Sequence, residues 1–452
     1  MKKSTQATLG VVAVTGITAA LAGCSSSGGS DGDTIRVAYQ TTATFNSMQL
    51  LMEAAKEQFE AANEGVTVEL VPIQAEGADY YTKLALMNGS ASTAPDVQYE
   101  DTFKVQSDAA AGYLLPLDEY LAEWEDWDQF AEGAKQAGLG PDGQTYGVSL
   151  GTDTRALWYN TELFEQAGID TPWEPQSWDD VMDAAERIKA ALPDVIPMNL
   201  YSGKAAGEAA SMQGFQMLLS GTPDWLYDYD TQKWVVGSQG FKDSLQFVAD
   251  LYQNELGPTP QQALDPNIFT NVTAEWLPNA ELAIALDGSW QSAAWVESGT
   301  SPWPEWSEVL DIAPMPTQDG QEPGATSMSG GWTLALGANT DNPKLAFDFL
   351  TTALNYDNAL SYDVDNSQIA VRADVAESTD YIDANPSFAF FSSLVEVTHF
   401  RPATEDYDQI SNEIVVAMEA VMTGQQSVED AAAAYDAAVI GIVGEENTQT
   451  AD

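Results

Sequence analysis

An alternation of strand, helix and strand follows residue 33 and constrains the fold more than any other feature of the chain. Residues 34–39 read Thr-Ile-Arg-Val-Ala-Tyr and predict a strand, and residues 66–71 predict a second one. Between them, residues 47–62 carry apolar side chains at helical spacing. A third strand is predicted at 95–99, with a helix after it. Because two parallel strands joined by a helix form a βαβ unit, the sequence predicts an α/β fold.

Length and charge set further limits. The region from residue 34 onward, about 420 residues long, exceeds the size at which one hydrophobic core keeps growing, so two lobes are expected. The chain has 69 acidic and 16 basic residues, a formal net charge of −53. Such a charge excludes nucleic acid and anionic lipid as partners. Because chance pairs are frequent among so many carboxylates, no Asp/Glu pair is interpreted as a general acid and base.

The first 33 residues resemble an export signal followed by a tether. Two lysines precede an apolar run over 9–21, which is too short to span a bilayer, and Leu-Ala-Gly then leads to Cys24, the single cysteine. This pattern is similar to a lipoprotein signal peptide. It predicts a signal peptide at 1–23, acylation of Cys24, and a flexible Ser/Gly-rich tether at 24–33. We therefore expect a protein held at the extracellular face of the cell membrane by a lipid anchor.

An ordered set of short motifs spans nearly the whole chain after the tether. The most diagnostic is Leu157-Trp158-Tyr159-Asn160. Others include Pro95-Asp96-Val97, Gly112-Tyr113-Leu114-Leu115-Pro116-Leu117-Asp118, Ser177-Trp178-Asp179-Asp180, Asp287-Gly288-Ser289-Trp290, Ser329-Gly330-Gly331-Trp332 and Arg401-Pro402. With these motifs in this order, the chain resembles the extracellular solute-binding proteins of family 1, the maltose-binding-like receptors of ABC sugar importers.

The resemblance implies a two-lobed, periplasmic-binding-protein-like α/β fold of type II, with a ligand cleft between lobes joined by crossing strands. The expected N-lobe comprises 34–150 and 335–365, and the expected C-lobe comprises 151–334 and 366–446. The chain is expected to cross between the lobes near 149–154, 331–336 and 365–369. Closure of the lobes would then be the signal that the permease reads.

A sugar site needs aromatic faces against C–H surfaces and carboxylates or amides that bind hydroxyl groups. Candidates of these types stand at strand ends that would face the cleft: Phe45, Tyr99, Glu100, Asp101, Asp153, Tyr201, Trp290 and Trp332. Packing is the competing interpretation for each aromatic residue, and capping of the following helix is the competing interpretation for Asp101. Trp158 and Tyr159 are interpreted as structural because their strand should be buried.

The arginines bear on the class of ligand. Arg36, Arg155, Arg187, Arg372 and Arg401 are scattered along the chain, which makes a phosphate ligand a poor fit. Among them, Arg372 and Arg401 are the two that could still approach the cleft.

An enzyme is the competing class of function. Residues 147–151, Gly-Val-Ser-Leu-Gly, match the nucleophile elbow of serine hydrolases, but that motif requires a helix directly after the serine. A strand is predicted there instead, and His399 is the single histidine, so we expect no enzyme. Asp228-Tyr229-Asp230 and Asp363-Val364-Asp365-Asn366 offer oxygen ligands without the rest of an EF-hand loop, which leaves incidental calcium binding open. We expect no cofactor and no dedicated metal site.

The expected function is capture of a carbohydrate and its delivery to the transmembrane subunits of an ABC permease. Among carbohydrates, an oligosaccharide is the favoured ligand. The protein would be monomeric and would contact the ATPase only indirectly. The alternatives are a surface sugar sensor of the same fold, and a receptor for a polyol, glycerol phosphate or peptide.

Overall fold

The computed structural model describes residues 34–43, 45–75 and 77–451. The predicted signal peptide, Cys24 and the tether lie outside the described residues. Among the described residues, every helix is too short or too polar to cross a membrane.

The described residues form strands and helices that alternate along the chain. The strands are β1 Thr34–Thr41, β2 Thr67–Gln74, β3 Val97–Asp101, β4 Gly147–Gly151, β5 Arg155–Asn160, β6 Ile196–Asn199, β7 Tyr227–Asp228, β8 Lys233–Val236, β9 Leu282–Gly288, β10 Leu310–Ala313, β11 Met315–Pro316, β12 Ala325–Ser329, β13 Trp332–Leu336, β14 Thr398–Phe400 and β15 Thr448–Thr450. The helices are α1 Ser47–Ala62, α2 Gly77–Asn88, α3 Val105–Ala110, α4 Asp118–Leu121, α5 Glu132–Ala137, α6 Thr161–Gln166, α7 Trp178–Ala191, α8 Met217–Leu219, α9 Gln239–Gln253, α10 Pro260–Ala263, α11 Ile268–Thr270, α12 Trp306–Val309, α13 Pro343–Ala353, α14 Tyr356–Asp365, α15 Ala373–Ala376, α16 Thr379–Ile382, α17 Phe388–Ser393, α18 Tyr407–Met422 and α19 Val428–Val443. Short 3-10 segments occupy Glu125–Gln129, Ser289–Ala294, Leu394–Val397 and Glu445–Asn447, and π-helical segments occupy Ala210–Gln216 and Asn271–Trp276.

A five-stranded sheet in the order β2-β1-β3-β13-β4 forms the centre of the N-lobe. Strand β1 runs parallel to β2 and β3, as predicted for a βαβ unit, while β13 runs antiparallel to β3 and β4. Helix α1 covers this sheet and buries Leu51, Met52, Ala55 and Phe59, which lie on one face because they are spaced three or four residues apart. Phe59 meets Phe349 of α13 edge-on, with ring centroids 5.5 Å apart.

A second sheet, in the order β10-β5-β9-β6, forms the centre of the C-lobe. Strand β5 pairs with β9 on one side and β10 on the other, so it lies inside the sheet, and all six of its residues are buried. Trp158 and Tyr159 are fully buried, which confirms the structural interpretation of this motif. The indole N–H of Trp158 donates to the carbonyl of Gly288, at 3.1 Å.

The two sheets are connected where three stretches of chain lie side by side. Strand β4 ends at Gly151 in the first sheet, and β5 begins in the second after a short link. Within that link, Thr152 forms a β-bridge with Ile369, and its hydroxyl donates to the carbonyl of Gly330 at 3.0 Å. Gly331 has φ +130°, and a Cβ there would lie 2.6 Å from the Gly151 carbonyl oxygen, so only glycine fits this position.

Two details of the packing differ from the predicted lobe boundaries. Strand β13 already joins the N-lobe sheet at Trp332, because the whole strand pairs with β3, whereas the N-lobe was expected to resume at 335. Helices α15 and α16 pack on the N-lobe helix α14, with Val375 and Tyr381 buried against Ala359, whereas residues from 366 onward were expected in the C-lobe. Local strand and helix patterns do not reveal which sheet an element will cover.

The Gly-x-Ser-x-Gly stretch lies in a strand. Ser149 belongs to β4, its hydroxyl donates to the Gly151 carbonyl at 3.0 Å, and the next element is the predicted strand β5 rather than a helix. His399 lies on β14 against the ring of Trp225, with centroids 4.7 Å apart. The elbow geometry of a serine hydrolase is therefore missing at this motif.

Candidate ligand-binding cleft

A cavity of about 250 Å³ lies between the two lobes and is lined by side chains from both. Seven of the eight predicted candidates line it: Phe45, Tyr99, Asp101, Asp153, Tyr201, Trp290 and Trp332. Whether each contacts a ligand stays a prediction, but the fold brings these distant residues to one place.

Glu100 is the candidate that the fold directs elsewhere. It is 1% exposed, and its carboxylate accepts a hydrogen bond from the side-chain amide of Gln98 at 2.8 Å. Burial raises the pKa of Glu100 well above its usual range, and Asp108 adds to the effect. Since successive side chains of a strand point to opposite faces, Tyr99 and Asp101 face the cavity and Glu100 faces the interior. Its assignment to the ligand site is therefore corrected.

Trp332 combines a packing role with a place in the cavity wall. Its ring stacks on Tyr99 with centroids 4.3 Å apart and planes 7° apart, and Tyr80 meets it edge-on at 5.9 Å. The hydroxyl of Tyr99 is in turn 3.1 Å from that of Tyr362. This stack is held rigidly by its neighbours, so Trp332 presents only part of its surface to the cleft.

Trp290 stands on a turn of 3-10 helix directly after β9 and projects into the cleft. Its ring folds back over Gly288, where any Cβ would collide with it. The guanidinium carbon of Arg155 lies 4.7 Å from the ring centroid, a cation–π contact that supports the indole. The ring of Trp290 is thus half-buried, with one face in contact with the buried guanidinium of Arg155.

Asp153 lies at the first crossing between the lobes and is held by backbone as well as side-chain groups. Its carboxylate pairs with Arg155 and accepts the N–H of Gly330 at 2.9 Å. Arg155 also donates to the Met328 carbonyl at 3.0 Å. Burial lowers the pKa of Arg155, and Asp153 opposes that shift. The carboxylate is therefore fixed where the chain crosses between the lobes at the cavity.

Arg401 reaches across the cleft from the C-lobe. It donates to Asp101 at 2.7 Å and to Glu208 at 3.3 Å, and its guanidinium carbon lies 4.5 Å from the ring centroid of Phe103. Tyr407 also donates to Glu208, at 2.6 Å. Burial would lower the pKa of Arg401, but Asp101 and Glu208 outweigh it and raise that pKa. The result is a buried charge network that joins the two lobes.

The positions of the arginines differ from the sequence-based expectation. Arg155 and Arg401 both line the cavity, although Arg155 was not expected there. Arg372 does not approach it, because its guanidinium is bound by Asp126 at 3.1 Å and Asp374 at 2.8 Å. The Arg401-Pro402 motif was a sequence signal for Arg401, whereas no sequence signal pointed to Glu208.

Tyr201 and Asp287 form a buried pair beside the cavity. The Tyr201 hydroxyl donates to Asp287 at 2.9 Å, and its ring lies 4.9 Å from that of Phe269. Burial raises the pKa of Asp287 to about 6. Side chains that line the cavity without having been predicted also include Gln40, Met48, Met212, Gln213, Phe269, Gln291 and Gln368. The lining thus mixes aromatic rings with amide, carboxylate and guanidinium groups.

Two α/β lobes joined by crossing strands around a cavity define the class of two-lobed solute-binding proteins. A solute-binding protein of an ABC transporter from Thermotoga lettingae, solved with alpha-D-tagatose, has this architecture; it matches with a TM-score of 0.78 and 22% identity, over 91% of this chain and 100% of that one. The chain belongs to the bacterial extracellular solute-binding protein family, whose model matches residues 42–359.

Two curated relatives agree with this placement. The maltodextrin-binding protein MdxE of Bacillus subtilis (strain 168) is 23% identical over 382 residues, which cover 82% of each chain. A candidate binding protein of Brucella abortus (strain 2308) is 34% identical over 143 residues. That second match covers 30% of this chain and 32% of the relative, so it spans only about a third of the relative's length.

Proposed function

We propose that this protein is the carbohydrate-binding receptor of an ABC importer. The observation that carries the proposal is the interlobe cavity, in which aromatic rings stand beside carboxylates and amides from both lobes. Rings stack on the C–H faces of a sugar, carboxylates accept hydrogen bonds from its hydroxyl groups, and side-chain amides both accept from and donate to them. The similarity to a maltodextrin-binding relative supports an oligosaccharide of glucose as the first class to test.

The charges of the cavity favour a neutral ligand. Its lining contains three carboxylates, those of Asp101, Asp153 and Glu208, and two guanidinium groups. Both arginines are already paired with these carboxylates, so neither offers an uncompensated positive charge to a phosphate. We therefore favour a sugar over the glycerol phosphate alternative.

The mechanism that we propose is conformational. The lobes would exchange between an open and a closed arrangement, and a ligand in the cavity would contact both lobes only in the closed one. The ligand would therefore bind the closed arrangement more tightly, and this difference in affinity would shift the population toward closure. A permease that recognises the closed lobes would then receive the sugar. The protein itself would make and break no covalent bond.

We further propose that the protein acts as a monomer, anchored at the extracellular face of the membrane by a lipid on Cys24. The support is the lipoprotein-like signal at 1–23 and the Ser/Gly-rich tether that follows. Labelling of cells with a radioactive or clickable fatty acid, with Cys24→Ala as the control, tests this part of the proposal.

A titration of residues 25–452 by isothermal calorimetry tests the function. Maltose, maltotriose, D-tagatose and glycerol 3-phosphate would be compared at low and high salt. We expect heat of binding with a sugar. Thermal unfolding of the same protein should then show a raised melting temperature in the presence of that sugar, because a ligand that binds only the native state stabilises it by mass action. Binding of glycerol 3-phosphate and of none of the sugars would overturn the proposal.

A further inference from the structure

A short segment of the N-lobe is inserted into the C-lobe. Residues 101–104, which we call the interlobe segment, begin with the last residue of β3 and continue beyond it, and each contacts the C-lobe. Asp101 and Thr102 accept hydrogen bonds from Arg401 at 2.7 and 3.3 Å. Phe103 is buried in the hydrophobic core of the C-lobe, with its ring 5.7 Å from that of Tyr407.

The last residue of the segment forms an ion pair outside the cavity. The ammonium group of Lys104 donates to the carboxylate of Asp408, which lies in the first turn of α18. The two side chains are 14% and 38% exposed, so the pair is partly shielded from solvent. Burial alone would lower the pKa of Lys104, but Asp408 and Asp108 outweigh it and raise that pKa. The ammonium is thus held in its charged form at the junction of the lobes.

A ligand in the cavity can reach some contacts of the interlobe segment and not others. Asp101 and Arg401 line the cavity, so a bound ligand can replace part of their interaction. Lys104 and Asp408 are not among the lining residues, so a ligand in the cavity does not have to displace their pair. Helix α18 belongs to the C-lobe core, and α3, which Lys104 precedes, follows the N-lobe strand β3. The ion pair therefore ties one lobe to the other without touching the ligand.

We propose that Lys104 and Asp408 are positioning residues that determine ligand affinity by stabilising the arrangement in which the two lobes meet. The choice of a sugar as ligand rests on the proposed function, whereas the effect of the ion pair on the arrangement of the lobes does not depend on it. When only one arrangement binds ligand well, the apparent Kd is the intrinsic Kd divided by the fraction of molecules in that arrangement. Loss of the pair lowers this fraction and raises the apparent Kd.

The chain offers a matched control for the experiment. Asp348 also pairs with a lysine, Lys344, but both lie on α13 and their pair connects nothing across the cleft. Asp408→Asn and Asp348→Asn would be prepared in residues 25–452 together with the unaltered protein. In small-angle X-ray scattering without any sugar, Asp408→Asn should have a larger radius of gyration than the unaltered protein. Asp348→Asn should have the same radius of gyration as the unaltered protein. Lys104→Met should give at least the same increase as Asp408→Asn, because it removes the pair with Asp408 and also the contact with Asp108 at 3.8 Å. The double variant should give no more than Lys104→Met, because the pair with Asp408 is already lost there.

Calorimetry with maltotriose provides the second measurement. We expect Asp408→Asn to raise its apparent Kd roughly three- to tenfold, the effect of losing one partly buried ion pair, and Asp348→Asn to leave it unchanged. Equal radii of gyration for all the variants, each with an unchanged circular dichroism spectrum, would overturn the proposal. If maltotriose fails to bind the unaltered protein, that result counts against the proposed ligand, and the scattering data still decide the role of the ion pair.

Discussion

Arg401 and Asp101 join the two lobes across the cleft through a hydrogen bond of 2.7 Å, although 300 residues separate them in the sequence. Both side chains are buried, and Arg401 is also bound by Glu208. A charge in such a position is stable only while its partners are present. The pair therefore couples the stability of the protein to the contact between its lobes.

Asp101→Asn should destabilise the protein by about 3 kcal/mol, because the carboxylate that it takes from the buried Arg401 is itself buried, with a side chain 10% exposed. Urea unfolding of both proteins measures the difference. Asp126→Asn is the control, since Asp126 also pairs with an arginine but its side chain is 45% exposed. We expect a much smaller change there, and equal losses for the two variants would contradict the importance of burial.

Trp290→Ala should raise the Kd for a bound sugar by about tenfold or more while leaving the fold intact, because it removes the ring that Arg155 supports in the cavity. Calorimetry measures the affinity, and circular dichroism checks the fold. Trp225→Ala is the matched variant: this tryptophan is 46% exposed and does not line the cavity. Unchanged affinity in Trp290→Ala would remove this residue from the ligand site.

Asp363→Asn should stabilise the protein, and the gain should grow with pH. Asp363 is 1% exposed, and neither oxygen of its carboxyl group has a hydrogen-bond partner among the described residues. Burial raises the pKa of this carboxyl group well above its usual range, although Arg372 opposes the shift. A raised folded-state pKa gives stability that is present below the unfolded value, about 3.9, and is lost as the pH rises through the folded value. Asparagine stays neutral and avoids this loss.

Melting temperatures between pH 4 and pH 8 test this prediction. The two curves should lie close together at pH 4 and separate as the pH rises. Asp357→Asn, an exposed position on the same helix, should run parallel to the unaltered protein. Parallel curves for Asp363→Asn as well would mean that the buried carboxyl ionises without cost.

Gly331→Ala should destabilise the protein by about 2–3 kcal/mol, since the residue combines φ +130° with a Cβ position 2.6 Å from the Gly151 carbonyl oxygen. Thermal unfolding measures the loss. Gly143→Ala is the control, because Gly143 has φ +78° but nothing within 4 Å of its Cβ position. The difference between the two variants isolates the steric contact at the crossing of the lobes, and equal losses would mean that backbone strain alone acts there.

Local elements were predictable because their signals are local. The apolar spacing over 47–62 predicted a helix, and α1 has those bounds. The run at 157–160 predicted a buried strand, and β5 is fully buried. In contrast, Glu100 was grouped with Tyr99 and Asp101 although the alternation of a strand separates it from them, so this error could have been avoided from the sequence alone.

The sequence by itself determined the α/β class, the family resemblance and the residue types that a cleft would need, because strand and helix periodicity and ordered motifs are properties of neighbouring residues. Only the tertiary structure decided that Arg155 and Arg401 enter the cavity while Arg372 is held elsewhere, and that Lys104 meets Asp408. These contacts join residues far apart in the chain, and their formation depends on how two separately folded sheets meet. Burial, which sets both the pKa values and the energies of the charge pairs, likewise exists only once the lobes are packed.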